Sequence, residues 1–187
     1  MSLSLTNPPA VEPVTLDEAK AHLKVDTTDD DALIAALISA ARARAEWHTG
    51  RALIAQSWIL WLDAFPDDGV IEVPLPPLKS VDSVTLFDAQ NADTAVDPAN
   101  YAVDTASQPG RIVFACTYVP PANLRRRNAA AVAFDAGYGS AASDVPADIR
   151  EAILEIVAGL YVNRGDGPDG EPLAAQALLA PYRVFKL

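Results

Sequence analysis

Thr27-Thr-Asp-Asp-Asp-Ala-Leu-Ile-Ala-Ala-Leu-Ile-Ser-Ala-Ala-Arg-Ala-Arg-Ala-Glu-Trp-His-Thr-Gly-Arg51, followed within a few residues by Ser57-Trp-Ile-Leu-Trp-Leu-Asp63, decides the fold. The first stretch repeats its apolar residues at helical spacing. Leu33, Leu37, Ala40, Ala41 and Ala45 form a stripe that Ile34 and Ile38 widen. The aspartates at its start suit the positive end of the helix dipole, and Gly50 suits a left-handed C-cap. From Ala52 the period changes. Ser57–Asp63 is apolar on both alternating faces, the pattern of a strand covered on both sides.

Upstream, Thr15-Leu-Asp-Glu18 reads as a capping box that starts a short helix with Leu16, Ala19 and Leu23 on one face. Residues 1–14 carry three prolines, Pro8, Pro9 and Pro13, and are read as an extended arm. Downstream of Ser57–Asp63, short strands at Val70–Val73, Val81–Phe87, Tyr101–Val103, Arg111–Ala115 and Ala131–Phe134 alternate with turns. Residues 88–100 are read as a loop. This spacing predicts a small antiparallel sheet or sandwich. Helical spacing returns after Asp144-Val-Pro146, with Ile149, Ile153, Ile156, Val157, Leu160 and Tyr161 as the buried stripe, ending at Asn163-Arg-Gly165. A loop at 166–170 and a last short helix bearing Leu173, Ala177, Leu178 and Leu179 complete the block. Neither helical block is long enough for a stable bundle, so the two are expected to pack together. The fold class is α+β: a helical core of about four helices, residues 15–52 and 144–187, with a small antiparallel β domain, residues 53–143, inserted in it.

The 187 residues are half hydrophobic, enough to bury a core. No apolar stretch reaches the ~20 residues of a membrane span, and the first residues lack the pattern of a signal peptide. A protein that stays in the cytoplasm where it is made, with no membrane partner, is expected. Cys116 is the only cysteine, so no internal disulfide forms; its apolar neighbours predict a buried thiol. The net charge of −11 argues against binding the phosphate backbone, which needs clustered cations.

The sequence shows no constellation of reactive residues. His22 and His48 fall on different helices, far in sequence from Cys116, so no zinc ligand set is expected. Asp29-Asp-Asp31 lacks the spacing of a calcium loop and reads as a solvated helix start. There is neither a Gly-x-Ser-x-Gly elbow nor a phosphate-cradling Gly-x-x-x-x-Gly-Lys loop. No cofactor and no metal are expected. Arg125, Arg126 and Arg127 form the one dense basic run and are read as a subunit or partner contact, or simply a solvated loop. After the helix-breaking Pro181, the tail Tyr182-Arg-Val-Phe-Lys-Leu187 holds more apolar surface than six residues can bury on themselves. It either docks on its own core or inserts into another chain.

The order of these features resembles the head–tail connector, or adaptor, proteins of tailed phages and gene transfer agents. The matching stretches are Glu12-Pro-Val-Thr-Leu-Asp-Glu-Ala-Lys-Ala-His-Leu-Lys-Val-Asp26, Asp30-Asp-Ala-Leu-Ile-Ala-Ala-Leu-Ile38, Thr49-Gly-Arg-Ala-Leu-Ile54 with Gln56, and Leu75-Pro-Pro-Leu-Lys-Ser-Val-Asp-Ser-Val84. Val145-Pro146, Ala152-Ile153, Leu160-Tyr161, Asn163-Arg164 and Leu178-Leu-Ala-Pro-Tyr-Arg183 follow. The resemblance covers nearly the whole chain, and residues 88–100 match nothing in it.

It implies a non-enzymatic subunit of a homo-oligomeric, usually dodecameric ring at the head–tail junction of a virion or phage-like particle. Such a ring joins the portal protein to a tail-side stopper or terminator protein, and DNA passes through its channel without specific binding. The family's portal-facing C-terminal element carries over to Pro181, Tyr182, Arg183, Val184, Phe185, Lys186 and Leu187. The rival reading is a small hydrolase or carbohydrate-binding module using the β block. It requires a pocket where acids converge beside stacking aromatics such as Trp58 or Trp61.

Overall fold

The computed structural model describes residues 1–163 and 172–184. The predicted helix end at Arg164-Gly165, the loop at 166–170 and the tail residues Phe185, Lys186 and Leu187 lie outside the described residues. The chain divides into two compact units, one made of Met1–Pro8 and Ala55–Gly137, the other of Pro9–Ile54 and Tyr138–Leu187.

The second unit is helical. Helix α1 spans Leu16–Leu23 and opens on the predicted capping box. The Thr15 hydroxyl accepts the Glu18 N–H at 3.2 Å, and the Glu18 carboxylate accepts the Thr15 N–H at 2.8 Å. Helix α2 spans Asp31–Thr49 and ends at Gly50, whose φ of 70° is the left-handed conformation that only glycine adopts without strain. Helix α3 spans Ala147–Asn163 and helix α4 Leu173–Leu179. Ile34, Ile38, Ala41 and Ala45 of α2 share one core with Ile149, Ala152, Ile153, Ile156 and Val157 of α3, joined by Leu53, Ile54, Ala175 and Leu179. The alanines in this seam let the helix backbones approach, while each fully buried isoleucine contributes about 1.5–3 kcal/mol.

The helical stripe of α2 is therefore rotated from the one expected. Ile34 and Ile38 are its centre, while Leu33 and Ala40 are exposed. Alanine, leucine and isoleucine surround this helix, so apolar spacing alone fits two faces.

The first unit is all antiparallel. The strands are β1 Ser2–Asn7, β2 Gln56–Leu62, β3 Val70–Val73, β4 Leu78–Phe87, β5 Asp93–Ala95, β6 Tyr101–Asp104, β7 Gly110–Phe114 and β8 Ala130–Ala136. A five-stranded sheet has the order β1-β2-β8-β4-β5, and a three-stranded sheet the order β3-β7-β6. Register puts Trp58 opposite Phe134 and Leu60 opposite Val132, and Val132 opposite Val84 on β4. This side of the large sheet, with Leu60, Val84, Val132 and Phe134, is fully buried. The opposite side, with Ile59, Trp61, Ala131 and Ala133, is half-buried, so β2 is covered on one side rather than on both. Gly110 on β7 lies so near Leu78 on β4 that an added Cβ would stand 2.6 Å from Leu78 Cδ2.

Three boundaries differ from the sequence reading. Residues 2–7 form an edge strand on β2, with Leu3 opposite Leu60 and Leu5 opposite Trp58, where an arm had been expected. Residues 93–95, inside the expected loop, pair with Thr85–Phe87. The inserted segment is Ala55–Gly137 rather than 53–143, because Leu53 and Ile54 bury in the helical core and the Tyr138 N–H bonds the Leu53 carbonyl at 3.0 Å.

Candidate functional site

The start of the C-terminal tail is anchored to its own helical unit. A 3-10 turn, Ala180–Tyr182, follows α4 and contains Pro181. The Arg51 Nε–H donates to the Tyr182 carbonyl at 2.5 Å, and the Val184 N–H donates to the Thr49 carbonyl at 2.8 Å. Arg51 is only 8% exposed. Its guanidinium also bonds the Tyr138 hydroxyl, which burial pushes up from its ordinary value. The Tyr182 ring packs against the helical core and its hydroxyl donates to Asp148 Oδ2 at 3.3 Å. So Tyr182 and the backbone through Val184 are committed to self-docking at the end of α2. Arg183 is exposed, and Phe185, Lys186 and Leu187 lie outside the described residues.

The aspartates at the start of α2 bond to other helices, and Asp30, at the N-cap position, makes no side-chain cap bond. Asp30 accepts the Tyr161 hydroxyl of α3 at 2.5 Å, and Asp31 accepts Lys20 Nζ of α1 at 2.6 Å. Two of the three acids therefore tie three helices together. Glu18 adds a third tie, to Arg150 of α3. Its carboxyl is lowered below its ordinary value of 4.5, first by the Thr15 backbone N–H and further by Arg150.

The arginine run splits. Arg125 closes its own loop: Nε donates to the Asn128 carbonyl at 2.7 Å, Nη1 to Asn91 Oδ1 at 3.2 Å, and the guanidinium lies 4.2 Å over the Phe87 ring. Arg126 and Arg127 are exposed. Cys116 is exposed, correcting the expected buried thiol. Strand β7 ends at Phe114, and Cys116 sits in the turn beyond it, out of register with the core.

The β unit carries an open cavity of about 990 Å³ floored by Phe65, Phe114 and Tyr118, with Asp63, Asp67 and Asp68 among its walls. The rings pack on each other, Phe65 edge-on to Phe114 at 4.8 Å and Phe114 to Tyr118 at 5.3 Å. Asp63 accepts the Asn128 N–H at 3.1 Å, and Asp68 accepts the Val70 N–H at 3.0 Å. Trp58 and Trp61 do not line this cavity. Trp61 lies 5.9 Å from the Phe87 ring, and the Trp58 indole N–H is buried without a partner among the described residues. Among the described residues no three His, Cys, Asp or Glu side chains gather as a metal site, and no helix is long and apolar enough to cross a membrane.

The geometry is that of a protein held together by tied helices and presenting surfaces, and the comparisons agree. The model of the phage gp6-like head–tail connector family matches residues 13–105. A chain in the neck of an empty gene transfer agent particle, computed with C6 symmetry, superposes with a TM-score of 0.84 at 25% identity, over 100% of this chain and 97% of that one. The chain belongs to the head–tail connector family. A chain in the neck of the native particle, computed with C12 symmetry, matches the connector with a TM-score of 0.82 at 26% identity, covering 100% of it and 97% of that chain. A chain from the native virion shares its fold with a TM-score of 0.82 at 24% identity, over the same shares. No curated protein matches the connector. The α+β architecture expected from the sequence is the one observed.

Proposed function

We propose that this connector is a structural subunit of a ring at the head–tail junction of a phage or gene transfer agent particle. In that ring it joins portal to tail and surrounds the channel through which DNA leaves. The observation that carries the reading is the end-to-end likeness to chains of particle necks computed with C6 and C12 symmetry. The net charge of −11 suits a channel that DNA must slide through without binding phosphate. The hydrolase or carbohydrate-binding reading is left with the β-unit cavity alone, where Asp63 and Asp68 accept backbone N–H groups and which neither Trp58 nor Trp61 lines.

The portal contact belongs to the C-terminal tail. The anchor at Arg51 and Thr49 holds the backbone from Tyr182 through Val184. Arg183, Phe185, Lys186 and Leu187 are the portal-binding positions; Pro181, Tyr182 and Val184 set their point of departure. Arg126 and Arg127 remain the candidates of the arginine run for contact with a neighbouring subunit or a tail-side protein.

The test is removal of residues 185–187 alone, which leaves the anchored segment intact. The truncated connector is expected to keep its thermal melting temperature and lose portal binding by at least about tenfold, the equivalent of 1.4 kcal/mol, in pull-down with purified portal. Unchanged binding would sink the tail assignment. Electron microscopy of particles in which the connector carries a label should put the label at the neck; label at another site refutes the ring reading itself.

A further inference from the structure

A closed ring of identical copies needs two different surfaces on each copy, one for each neighbour. Helix α2 offers both. Its buried face is spent on α3. The far side carries Leu33, Ala36, Ala40, Ala43, Arg44 and Trp47, all exposed, along about 21 Å of helix. Trp47 is 82% exposed. A solvent-facing helix surface ordinarily carries acids and lysines, and a chain of net charge −11 has acids to spare. This stripe has none.

At the border of the buried face of α2 lies a groove of about 570 Å³, walled by Val11, Val14, Leu16, Ala35, Ile38 and Ala141, with Glu12, Thr15 and Ser140 among its few polar groups. At 100° per residue, Trp47 and the Ala35–Ile38 edge of the groove stand about 150° apart around α2. One copy therefore cannot place its own Trp47 in its own groove, and two copies cannot exchange the contact about a twofold axis without turning α2 over. A head-to-tail contact uses both surfaces once per copy.

We propose that Trp47 of one copy seats in the Val11–Leu16–Ile38 groove of the next, and that this contact closes the connector ring. The occupant is a second copy for three reasons. The matched necks were computed with C6 and C12 symmetry, so copies of a chain there are related by rotation about one axis. The small side chains of Ala36, Ala40 and Ala43 let a neighbour approach α2 closely. The charges also match: Arg44 lies one turn before Trp47, and Glu12 lies at the groove, where Arg42 Nε holds its Oε2 at 2.7 Å and Oε1 has no partner among the described residues. An indole buried in an apolar groove with a charged pair at its edge is the usual make-up of an interface hot spot.

The inference rests on the connector reading, and the experiment separates the two. In a Cys116→Ser background, chains carrying Trp47→Cys and chains carrying Ala141→Cys are co-assembled into particles, and the isolated necks are treated with a short thiol cross-linker. A cross-linked dimer that needs both variants is expected. Trp47→Glu is expected to keep the melting temperature of the isolated chain, since the side chain is exposed, and to enter necks at least tenfold less. If the cysteine chains are in the necks but form no 47–141 dimer, or if Trp47→Glu enters necks normally, the contact is refuted and the connector reading stands. If the unmodified chain is absent from necks, the connector reading falls and this contact with it.

Discussion

Replacing Arg51 with methionine tests whether a buried arginine holds the tail. Methionine keeps much of the apolar stem, so the packing around Leu53 and Tyr138 is largely spared. The guanidinium is lost, and with it the 2.5 Å bond to the Tyr182 carbonyl and the bond to the Tyr138 hydroxyl. A hydrogen bond from a charged donor contributes about 1.5–3 kcal/mol net, which is roughly a 10- to 150-fold increase in opening of the segment it holds. The reporter is the Val184 amide, which donates to the Thr49 carbonyl at 2.8 Å and exchanges with solvent only when the tail lifts. Hydrogen exchange read by NMR should show Val184 exchanging faster by that factor in Arg51→Met. Amides in the middle of α3, such as Ile153, should change far less, because the loss is local rather than global. If Val184 exchange is unchanged, the arginine does not hold the tail. If Ile153 accelerates equally, Arg51 acts on the whole helical unit and the tail-anchor reasoning fails.

Two other outcomes follow from the same geometry. Glu18→Ala should cost about 1 kcal/mol at pH 7 by urea unfolding, chiefly from the lost capping box, since the Arg150 pair is partly open to solvent and so partly screened. Because folding lowers the Glu18 carboxyl, its stabilisation is complete above the ordinary 4.5 and disappears as pH falls through the lowered value; the gap between variant and parent should close in acid, and a pH-independent gap would refute the role of its charge. Gly110→Ala should destabilise by about 1–3 kcal/mol, because the new methyl meets Leu78 Cβ at 2.7 Å as well as the end of that side chain, and an unchanged melting temperature would show that the sheets do not meet so closely there.

The helices were legible because their ends are chemically marked. Thr15 and Glu18 form the capping box that their spacing announces, and Gly50 takes the left-handed turn its position requires. The strands that escaped notice are those with least side-chain burial. Ser2-Leu-Ser-Leu-Thr-Asn7 does alternate, but its six residues are exposed throughout and the prolines that follow mask the pattern. Asp93–Ala95 is held by backbone pairing alone, and Asp-Thr-Ala carries no apolar signal. Cys116 misled through its neighbours, since sequence adjacency to Val113 and Phe114 says nothing about register after a strand ends. At the candidate site, the tail was legible as a segment needing a partner, but its anchor was not. Arg51 lies 131 positions from Tyr182, and no periodicity pairs residues across such a distance. Trp47 was hidden for the opposite reason: its place in an alanine-rich helix fits a core as readily as a surface.

The β unit is not a cassette. The chain enters it twice, first with Ser2–Asn7 and again with Ala55–Gly137, with α1 and α2 between the two visits. Excising 55–137 would strip β1 of its only ladder and leave Leu3 and Leu5 on an orphan strand, so a shorter relative cannot be reached by one deletion without also discarding the amino terminus. Synthesis carries the same asymmetry: β1 is made before β2, and the 48 residues Pro8–Ala55 must follow it before its pairing partner begins.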